Sequence, residues 1–385
     1  MVEQSSTIRD LLALVRGVVN DKPVAWHTIT VDDALVRMAR RHKLDALIAY
    51  AVLPEKGDGS AACEALRRSQ TLEAARDLWQ RSEAEALFSC LEHKHIDYLP
   101  LKGLLLKQLY PCPGMRTMCD IDVLIRPADA AAVGEFLLAR GYETAFTNVE
   151  QDAYRKMPFG NIEIHKQLIG TQHRQYHAYY ADIWQRAHRE APDSCRYVLS
   201  SADFYIYQLL HLAKHYKVGG TGIRSILDIY LYLRGHAELA HSSYLCGELE
   251  RLGLVAFDEN IRALADAWFG TGKMNPTLEE MQHYIVASGM YGTRQNWRIS
   301  DQLKRDQSRL AYYWHALFPD LTTMSTLYPV LNRRPYLIGW FWLYKMVTRA
   351  VLRPVRLCRR LAARVPVSTD EAESRRAHLA RVGLL

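Results

Sequence analysis

The chain has 385 residues, of which 49% are hydrophobic and 24% charged, a composition typical of a folded protein. This composition excludes collagen-like, low-complexity and disordered proteins, and the length allows roughly two or three compact units. The net charge is +7, yet nine basic and no acidic residues lie between Asp320 and Asp370, which leaves the remainder near −2. The basic character therefore belongs to one C-terminal segment.

The seven cysteines are widely spaced and form neither a CxxC pair nor a disulfide framework. The first twenty residues are amphipathic, and they lack the basic, apolar and small-residue regions of a signal peptide. These features predict a cytoplasmic protein with reduced thiols.

Helical periodicity predicts an N-terminal helical region over residues 1–92. Apolar residues recur at helical spacing over 31–52, and Asp32 or Asp33 can begin that helix. A loop over 54–60 separates it from a second long helix that ends near residue 92.

Strand patterns predict a compact core over residues 93–198. Apolar residues alternate with polar ones over 119–127 and again over 159–168, as in half-buried strands. Shorter strands are expected near 96–99 and 142–146, with helices after Gly103 and over 128–141. This order predicts an α+β fold with a small mixed sheet flanked by helices.

The rest of the chain is predicted to be helical, so that the core is embedded in a mostly helical protein. A C-terminal helical domain is expected over 199–320. It begins with a helical pair on either side of the glycine-rich stretch 219–222, and two or three more helices fill 237–318. Residues 321–385 are predicted to form a basic, aromatic-rich helical tail.

Asp120 and Asp122 lie two residues apart on the predicted strand, so both side chains leave the same face of the sheet. Carboxylate oxygens are ligands that Mg²⁺ and Mn²⁺ prefer, and Glu163 on another strand is the candidate for a third carboxylate. An Asp-x-Asp pair alone is a weak signal, since two solvated aspartates near a strand end explain it equally well.

A longer pattern surrounds these residues. The segment PLKGLLLKQLYPCPGMRTMCDIDVLIRPAD, followed by IEIHKQL, resembles the uncharacterised nucleotidyltransferases of the polymerase-β superfamily. The shared features are a Lys-Gly turn, a short helix ending near Tyr-Pro, an arginine, an Asp-Ile-Asp strand, and an acidic residue two positions before a histidine. The helical segment HLAKHYKVGGTGIRSILDIYLYL and the stretch VRMARRHKLDALIAYAV extend the similarity.

The resemblance implies metal-dependent transfer of a nucleoside monophosphate from a nucleoside triphosphate to an acceptor hydroxyl. By position, Asp120 and Asp122 would bind Mg²⁺ or Mn²⁺. Glu163 would be the third metal-binding carboxylate and a catalytic residue able to activate the acceptor. His165 shares its strand face and is expected either to contact metal or acceptor, or to hydrogen-bond a carboxylate.

The resemblance also implies a nucleotide-binding set. Lys102 and Gly103 fall at the turn that contacts the triphosphate. Arg116 is expected to meet a phosphate oxygen, and the alternative is a surface arginine that balances the two aspartates. Leu104 stands where the superfamily usually has a serine, and the interval from Gly103 to Asp120 is long. Lys107, on the short helix, is expected to be solvated.

Two further histidines, His211 and His215, lie one helical turn apart and are candidates for the acceptor site or for metal. The absence of an obvious third ligand nearby favours a helix–helix hydrogen-bond network with Asp228 and Arg224 over zinc.

The tail segment 333–364 combines an apolar aromatic run over 336–344 with the basic residues. The run is about half of the ~20 residues needed to span a bilayer. Its pattern suits an anionic membrane surface at the inner face or a protein partner, a packed helix with a solvated basic face, or nucleic acid. No RNA-reading motif is visible, which disfavours nucleic acid.

Two rivals to the transferase remain open. One is a non-catalytic scaffold that keeps the fold and docks at a membrane or partner. The other is a metal-dependent phosphohydrolase that uses the same carboxylates on water.

Overall fold

The computed structural model describes residues 2–57, 59–170, 174–305, 314, 317–352 and 369–385. These residues form two compact units. The first contains Met1–Tyr216, Gly220–Tyr291 and Val382–Leu384, and the second contains Lys217–Gly219, Gly292–Arg381 and Leu385.

The N-terminal residues form four helices: α1 (Val2–Asn20), α2 (Asp33–Arg41), α3 (Asp45–Lys56) and α4 (Ala61–His93). Asp32 begins α2 as predicted, because its side chain accepts a hydrogen bond of 2.8 Å from the backbone N–H of Leu35.

The prediction of a single helix over 31–52 is wrong. Lys43 has a φ of 59°, and this left-handed residue separates α2 from α3. The loop predicted over 54–60 begins later, because α3 runs to Lys56.

The α+β prediction is confirmed by a five-stranded mixed sheet in the first unit. The strands of the sheet are β1 (Tyr98–Pro100), β2 (Ile121–Ile125), β3 (Glu143–Thr147), β4 (Gln151–Lys156) and β5 (Gly160–His165). Helix α5 (Lys102–Lys107) lies between β1 and β2 in the chain, and helix α6 (Ala130–Ala139) lies between β2 and β3. The spatial order is β1-β2-β5-β4-β3. Only the central β2–β5 pair is parallel, and the other pairs of this sheet are antiparallel.

Strand β4 was not predicted, because its sequence QDAYRK has no regular alternation and resembles a polar loop. Three consecutive residues, from Asp152 to Tyr154, are buried. The charge of Asp152 is satisfied by Lys166, whose Nζ lies 2.8 Å from its Oδ1. The ion partner lies beyond the next strand, so the local sequence carries no sign of it.

The sheet separates an apolar face from a polar one. Ile121, Val123 and Ile125 of β2 are completely buried, as is Ile162 of β5, and they join a core that includes residues of α4 and α6. Burying each such side chain stabilises the fold by about 1.5–3 kcal/mol. The alternation that produces this core sends Asp122 to the opposite face.

Helix α4 also has a buried polar stripe, which carries Asp77, Gln80 and Glu83. Asp77 forms an ion pair with Lys107, and Gln80 Oε1 accepts a hydrogen bond of 2.8 Å from the same ammonium. Lys107 is only 7% exposed, so the prediction that it is solvated is wrong. Glu83 pairs with Arg140 at 3.0 Å.

The remaining elements of the first unit are mainly helical and include the predicted pair α9 and α10. In chain order they are α7 (Arg174–Tyr179), α8 (Ile183–Arg186), the two-stranded β6 (His188–Arg189) and β7 (Tyr197–Val198), α9 (Ser201–Val218), α10 (Ile223–Gly235), α11 (Ser243–Leu252), α12 (Val255–Phe269) and α13 (Pro276–Ser288). The last residues of α9 belong to the second unit. The six described cysteines are free thiols.

The second unit contains α14 (Arg294–Arg305), α15 (Leu321–Leu327), α16 (Ile338–Leu352) and α17 (Thr369–Arg381). Region 237–318 therefore holds at least four α-helices, α11 to α14, where two or three were expected. The basic residues from 353 to 364 lie outside the described residues. Among the helices that the structure describes, none is both long and apolar enough to cross a membrane.

His42 links the N-terminal helices to α10 and makes the first unit sensitive to acid. It is fully buried after α2, and its Nδ1 accepts a hydrogen bond of 3.2 Å from the backbone N–H of Ile223. Burial, and then the charge of Arg41, lower the pKa of His42 from 6.5 to about 4. The unfolded chain therefore takes up a proton at a higher pH than the folded chain does.

Stability should be unaffected by His42 above its unfolded pKa of 6.5 and should fall as the pH decreases towards 4. We expect a loss of about 2 kcal/mol between pH 7 and pH 5 from this residue alone. Urea unfolding at both pH values measures it. The control is His42→Asn, which keeps an acceptor but does not titrate. Equal pH dependence in the two proteins would contradict the assignment.

Candidate active site

The parallel pairing of β2 and β5 places Asp122 directly opposite Glu163. Both carboxylates leave the polar face of the sheet and remain partly exposed at the side chain, 13% and 21% respectively. The predicted third carboxylate is thus beside the Asp-x-Asp segment, as the alternating pattern of the two strands requires.

His165 completes a three-residue cluster with these two carboxylates. Its Nε2 donates a hydrogen bond of 3.1 Å to Oδ1 of Asp122 and lies 3.8 Å from Oε2 of Glu163. Ligand atoms of Asp122, Glu163 and His165 all lie within 4.8 Å of one another, a spacing that can hold a metal ion. Burial alone would raise the pKa of Asp122, but the hydrogen bond and charge of His165 lower it overall. Asp122 is therefore an ionised acceptor.

Asp120 lies immediately before β2 and outside this three-residue cluster. It is nevertheless close enough to interact electrostatically with it. Burial, followed by repulsion from Asp122 and Glu163, raises the pKa of Asp120 to about 7. Burial and the charge of Asp122 likewise raise the pKa of Glu163. Three carboxylates are thus held together at an electrostatic cost, which a cation would relieve.

Lys102, at the start of α5, was predicted to bind the nucleotide, and its side chain contacts a histidine of α9. Its Nζ donates to Nε2 of His211 on α9. Burial lowers the pKa of Lys102 to about 7, opposed by the negative charge of Asp122. Burial and the charge of Lys102 lower the pKa of His211, which is consistent with a neutral, accepting imidazole. The structure therefore brings His211 to the carboxylate face through Lys102.

Lys214 is a second cation at this site and was not predicted. It lies on α9, three residues after His211, and burial lowers its pKa while Glu150, Asp122 and Glu163 raise it. The sequence HLAKH shows that Lys214 lies almost one helical turn beyond His211, which could have suggested the residue. The carboxylates that attract it come from β2, β5 and the turn before β4, so their proximity could not be read locally.

Gly103 lies inside the first turn of α5 and is buried against the segment that leads into β2. A Cβ at this position would come within 2.8 Å of the sulfur of Met118, so a larger residue would require the Met118 side chain to shift. The long interval between Gly103 and Asp120 therefore folds back until its two ends touch. Leu104 occupies the usual serine position and packs partly against the core.

Arg116 is deeply buried and held by Asp228 on α10. Its Nε and Nη2 donate to the two carboxylate oxygens at 2.8 and 2.9 Å, and its Nη1 donates to the carbonyl of Gly103 at 3.3 Å. Tyr110 donates a further hydrogen bond of 2.8 Å to the same aspartate. Arg116 therefore fixes the position of the Gly103 turn. A direct phosphate contact by Arg116 remains a prediction.

The network expected between the α9 histidines and α10 takes a different form. Asp228 pairs with Arg116 rather than with His211, and Arg224 donates to the backbone carbonyl of Thr117. His215 lies beside His211, with ring centroids 4.4 Å apart. Both α10 residues therefore brace the segment between α5 and β2, which carries the site.

A mixed sheet with an Asp-x-Asp segment beside a carboxylate on the adjacent parallel strand defines a nucleotidyltransferase-type core. The comparison with protein families agrees with this geometry: the model described as "Uncharacterised nucleotidyltransferase" matches residues 30–270. The chain belongs to this family, and the family model supports nucleotidyl transfer as its general class of activity. No curated protein matches the chain.

Breaking the buried Arg116–Asp228 pair should destabilise the fold strongly, because it leaves one charge buried without its partner. Asp228→Asn leaves the guanidinium without its counter-charge, and we expect the free energy of unfolding to fall by about 3–5 kcal/mol. Urea denaturation measures the change. Glu64→Gln, which breaks the exposed pair with Arg67, is the control and should cost less than about 1 kcal/mol. A similar small loss in both variants would show that the buried pair is not needed.

Proposed function

We propose that the protein transfers a nucleoside monophosphate from a nucleoside triphosphate to an acceptor hydroxyl and requires a divalent metal. The observation that carries the proposal is the register of β2 and β5, which sets Asp122 beside Glu163 with Asp120 close by. Two lysines, Lys102 on α5 and Lys214 on α9, interact electrostatically with the carboxylate of Asp122. Carboxylates for metal and cations for phosphate are the groups that this chemistry needs.

The residues present fit Mg²⁺ or Mn²⁺. The cluster offers carboxylate oxygens from Asp122 and Glu163, which hard cations prefer, and Asp120 adds a nearby third carboxylate. We assign Asp120, Asp122 and Glu163 as the groups that would hold the ion. His165 is better suited to orienting Asp122 through its hydrogen bond, because Mg²⁺ has little preference for imidazole. A bound ion would neutralise triphosphate charge during the displacement.

The chain's own residues account for the proton and the leaving group. Glu163 accepts the proton of the acceptor hydroxyl, and Gln151 keeps this carboxylate oriented by donating a hydrogen bond of 2.9 Å to its Oε2. The acceptor oxygen then bonds to the α-phosphorus, while the bond to the bridging oxygen breaks and pyrophosphate leaves. Lys102 and Lys214 bind the charge on the leaving phosphates.

The positioning residues lie behind this surface. Arg116 holds the carbonyl of Gly103, and Asp228 holds Arg116, so the start of α5 keeps a fixed place beside the carboxylates.

The first test is triphosphate binding measured by calorimetry with and without Mg²⁺. We expect metal-dependent binding by the wild-type protein and its loss in the double variant Asp120→Asn, Asp122→Asn, with at least about a hundredfold weaker affinity. The matched control is Glu85→Gln, Glu143→Gln, which also removes two charges but at exposed positions of the same unit. Unchanged binding in the site variant would contradict the metal assignment.

Lys214→Gln tests the second cation. We expect triphosphate affinity to fall about tenfold or more, because one charge-assisted hydrogen bond is lost, while affinity for the monophosphate changes little. Mn²⁺ binding followed by electron paramagnetic resonance should be retained, which separates a phosphate role from a metal role. An equal loss for triphosphate and monophosphate would show that Lys214 acts only on the fold of the site.

Label from an α-phosphate-labelled triphosphate distinguishes transfer from its rivals. Covalent label on an acceptor, with release of pyrophosphate, supports the transferase. Release of labelled monophosphate into water without any acceptor indicates the phosphohydrolase. A folded protein that binds no triphosphate in the presence of Mg²⁺ would favour the scaffold.

A further inference from the structure

Helix α16 in the second unit carries apolar side chains on two faces, and one of them is covered. Phe341 packs on Tyr328 with ring centroids 4.6 Å apart, and Trp342 packs on Phe318 at 5.3 Å. The indole N–H of Trp342 also donates a hydrogen bond of 2.9 Å to the carbonyl of Pro319. These contacts anchor α16 to the segment that precedes it.

The other face is open. Trp340, Leu343 and Val347, which we call the α16 stripe, are 65%, 51% and 51% exposed. Their spacing of three and four residues places them in one row along the helix. Tyr336, just before α16, is 75% exposed and extends this row by one turn. A contiguous row of exposed apolar side chains marks an interaction surface rather than ordinary surface variation.

Charge identifies the kind of partner. Arg333 and Arg334 are exposed just before α16, and the sequence from 321 to 369 contains nine basic and no acidic residues. Such a segment attracts an anionic surface. A second copy of this chain would bring an equal positive charge to the contact and would be repelled.

The side chains of the stripe favour lipid over nucleic acid. None of the three is cationic, and Leu343 and Val347 cannot stack on bases as aromatic rings do. A tryptophan beside aliphatic side chains, with arginines at one end, is suited instead to the boundary between lipid headgroups and acyl chains. The apolar aromatic run over 336–344 is about half of the ~20 residues needed to span a bilayer, so this segment would lie along the surface.

We propose that the α16 stripe docks the protein on an anionic phospholipid bilayer. Trp340 and Tyr336 lie at headgroup level, Leu343 and Val347 enter the acyl boundary, and the exposed Arg333 and Arg334 contact lipid phosphates. This inference goes beyond the proposed transferase activity, since it concerns where the protein acts and is measured without any reaction.

Vesicle flotation of the full chain tests the proposal. We expect at least about tenfold more protein on vesicles containing phosphatidylglycerol than on pure phosphatidylcholine, and less at high salt, because electrostatic attraction is screened. In the triple variant Trp340→Ser, Leu343→Ser, Val347→Ser, the fraction of protein bound to anionic vesicles should fall about tenfold or more. Circular dichroism checks that it is folded.

The matched control is Leu78→Ser, Leu138→Ser, Val149→Ser, which removes three exposed apolar side chains from the first unit. It should float as the wild type does. A second variant, Arg333→Gln with Arg334→Gln, should reduce the preference for anionic vesicles and decides the question if the stripe variant does not fold. Equal flotation of wild type and variants, no flotation at all, or retention on RNA in place of anionic vesicles would overturn the proposal.

Discussion

The parallel register between β2 and β5 is the constraint on which the site depends. It pairs Asp122 with Glu163 and Leu124 with His165, while the intervening isoleucines and valine enter the core. Because side chains alternate along a strand, a slip by one residue would bury the carboxylates and expose the apolar row. The free energy of core burial therefore also fixes the geometry of the acidic cluster. Stability and site geometry share one cause here.

A second layer of buried polar contacts holds the elements around that register. Asp228 on α10 forms an ion pair with Arg116, and Arg116 donates a hydrogen bond to the carbonyl of Gly103. Lys102, next to Gly103, contacts His211 on α9. Helices α9 and α10, which follow the sheet in the chain, thus reach the turn between β1 and β2. The family model, which matches residues 30–270, covers these helices as well as the sheet.

Much of the architecture was accessible from local patterns. The alternation in β2 and β5, the cap at Asp32, and the positions of α4, α9 and α10 all rest on side chains near one another in the chain. The break at Lys43 was missed because the apolar periodicity continues through a single left-handed residue. Strand β4 was missed because burial of its aspartate depends on a lysine after the next strand.

The same limit applies to the candidate site. The alternating patterns predicted that Asp120 and Asp122 share one strand face and that Glu163 and His165 share a face of another strand. The register of the two strands then placed Glu163 beside Asp122. The environment of Lys107 was missed because its partner Asp77 lies thirty residues earlier. Lys214 was missed because the carboxylates around it come from segments far back in the chain. Long-range electrostatic partners leave no periodic signature in a sequence.

The polar stripe of α4 has a consequence for how such proteins can recombine. Asp77, Gln80 and Glu83 meet partners on α5, at the end of α6 and on β4, all of them later in the chain. A genetic crossover between α4 and β1 would join a sheet from one parent to the helix of another. Any mismatch in those buried charges would then leave an ion without its counterpart. Helix α4 and the sheet should therefore be inherited together, as one evolutionary module.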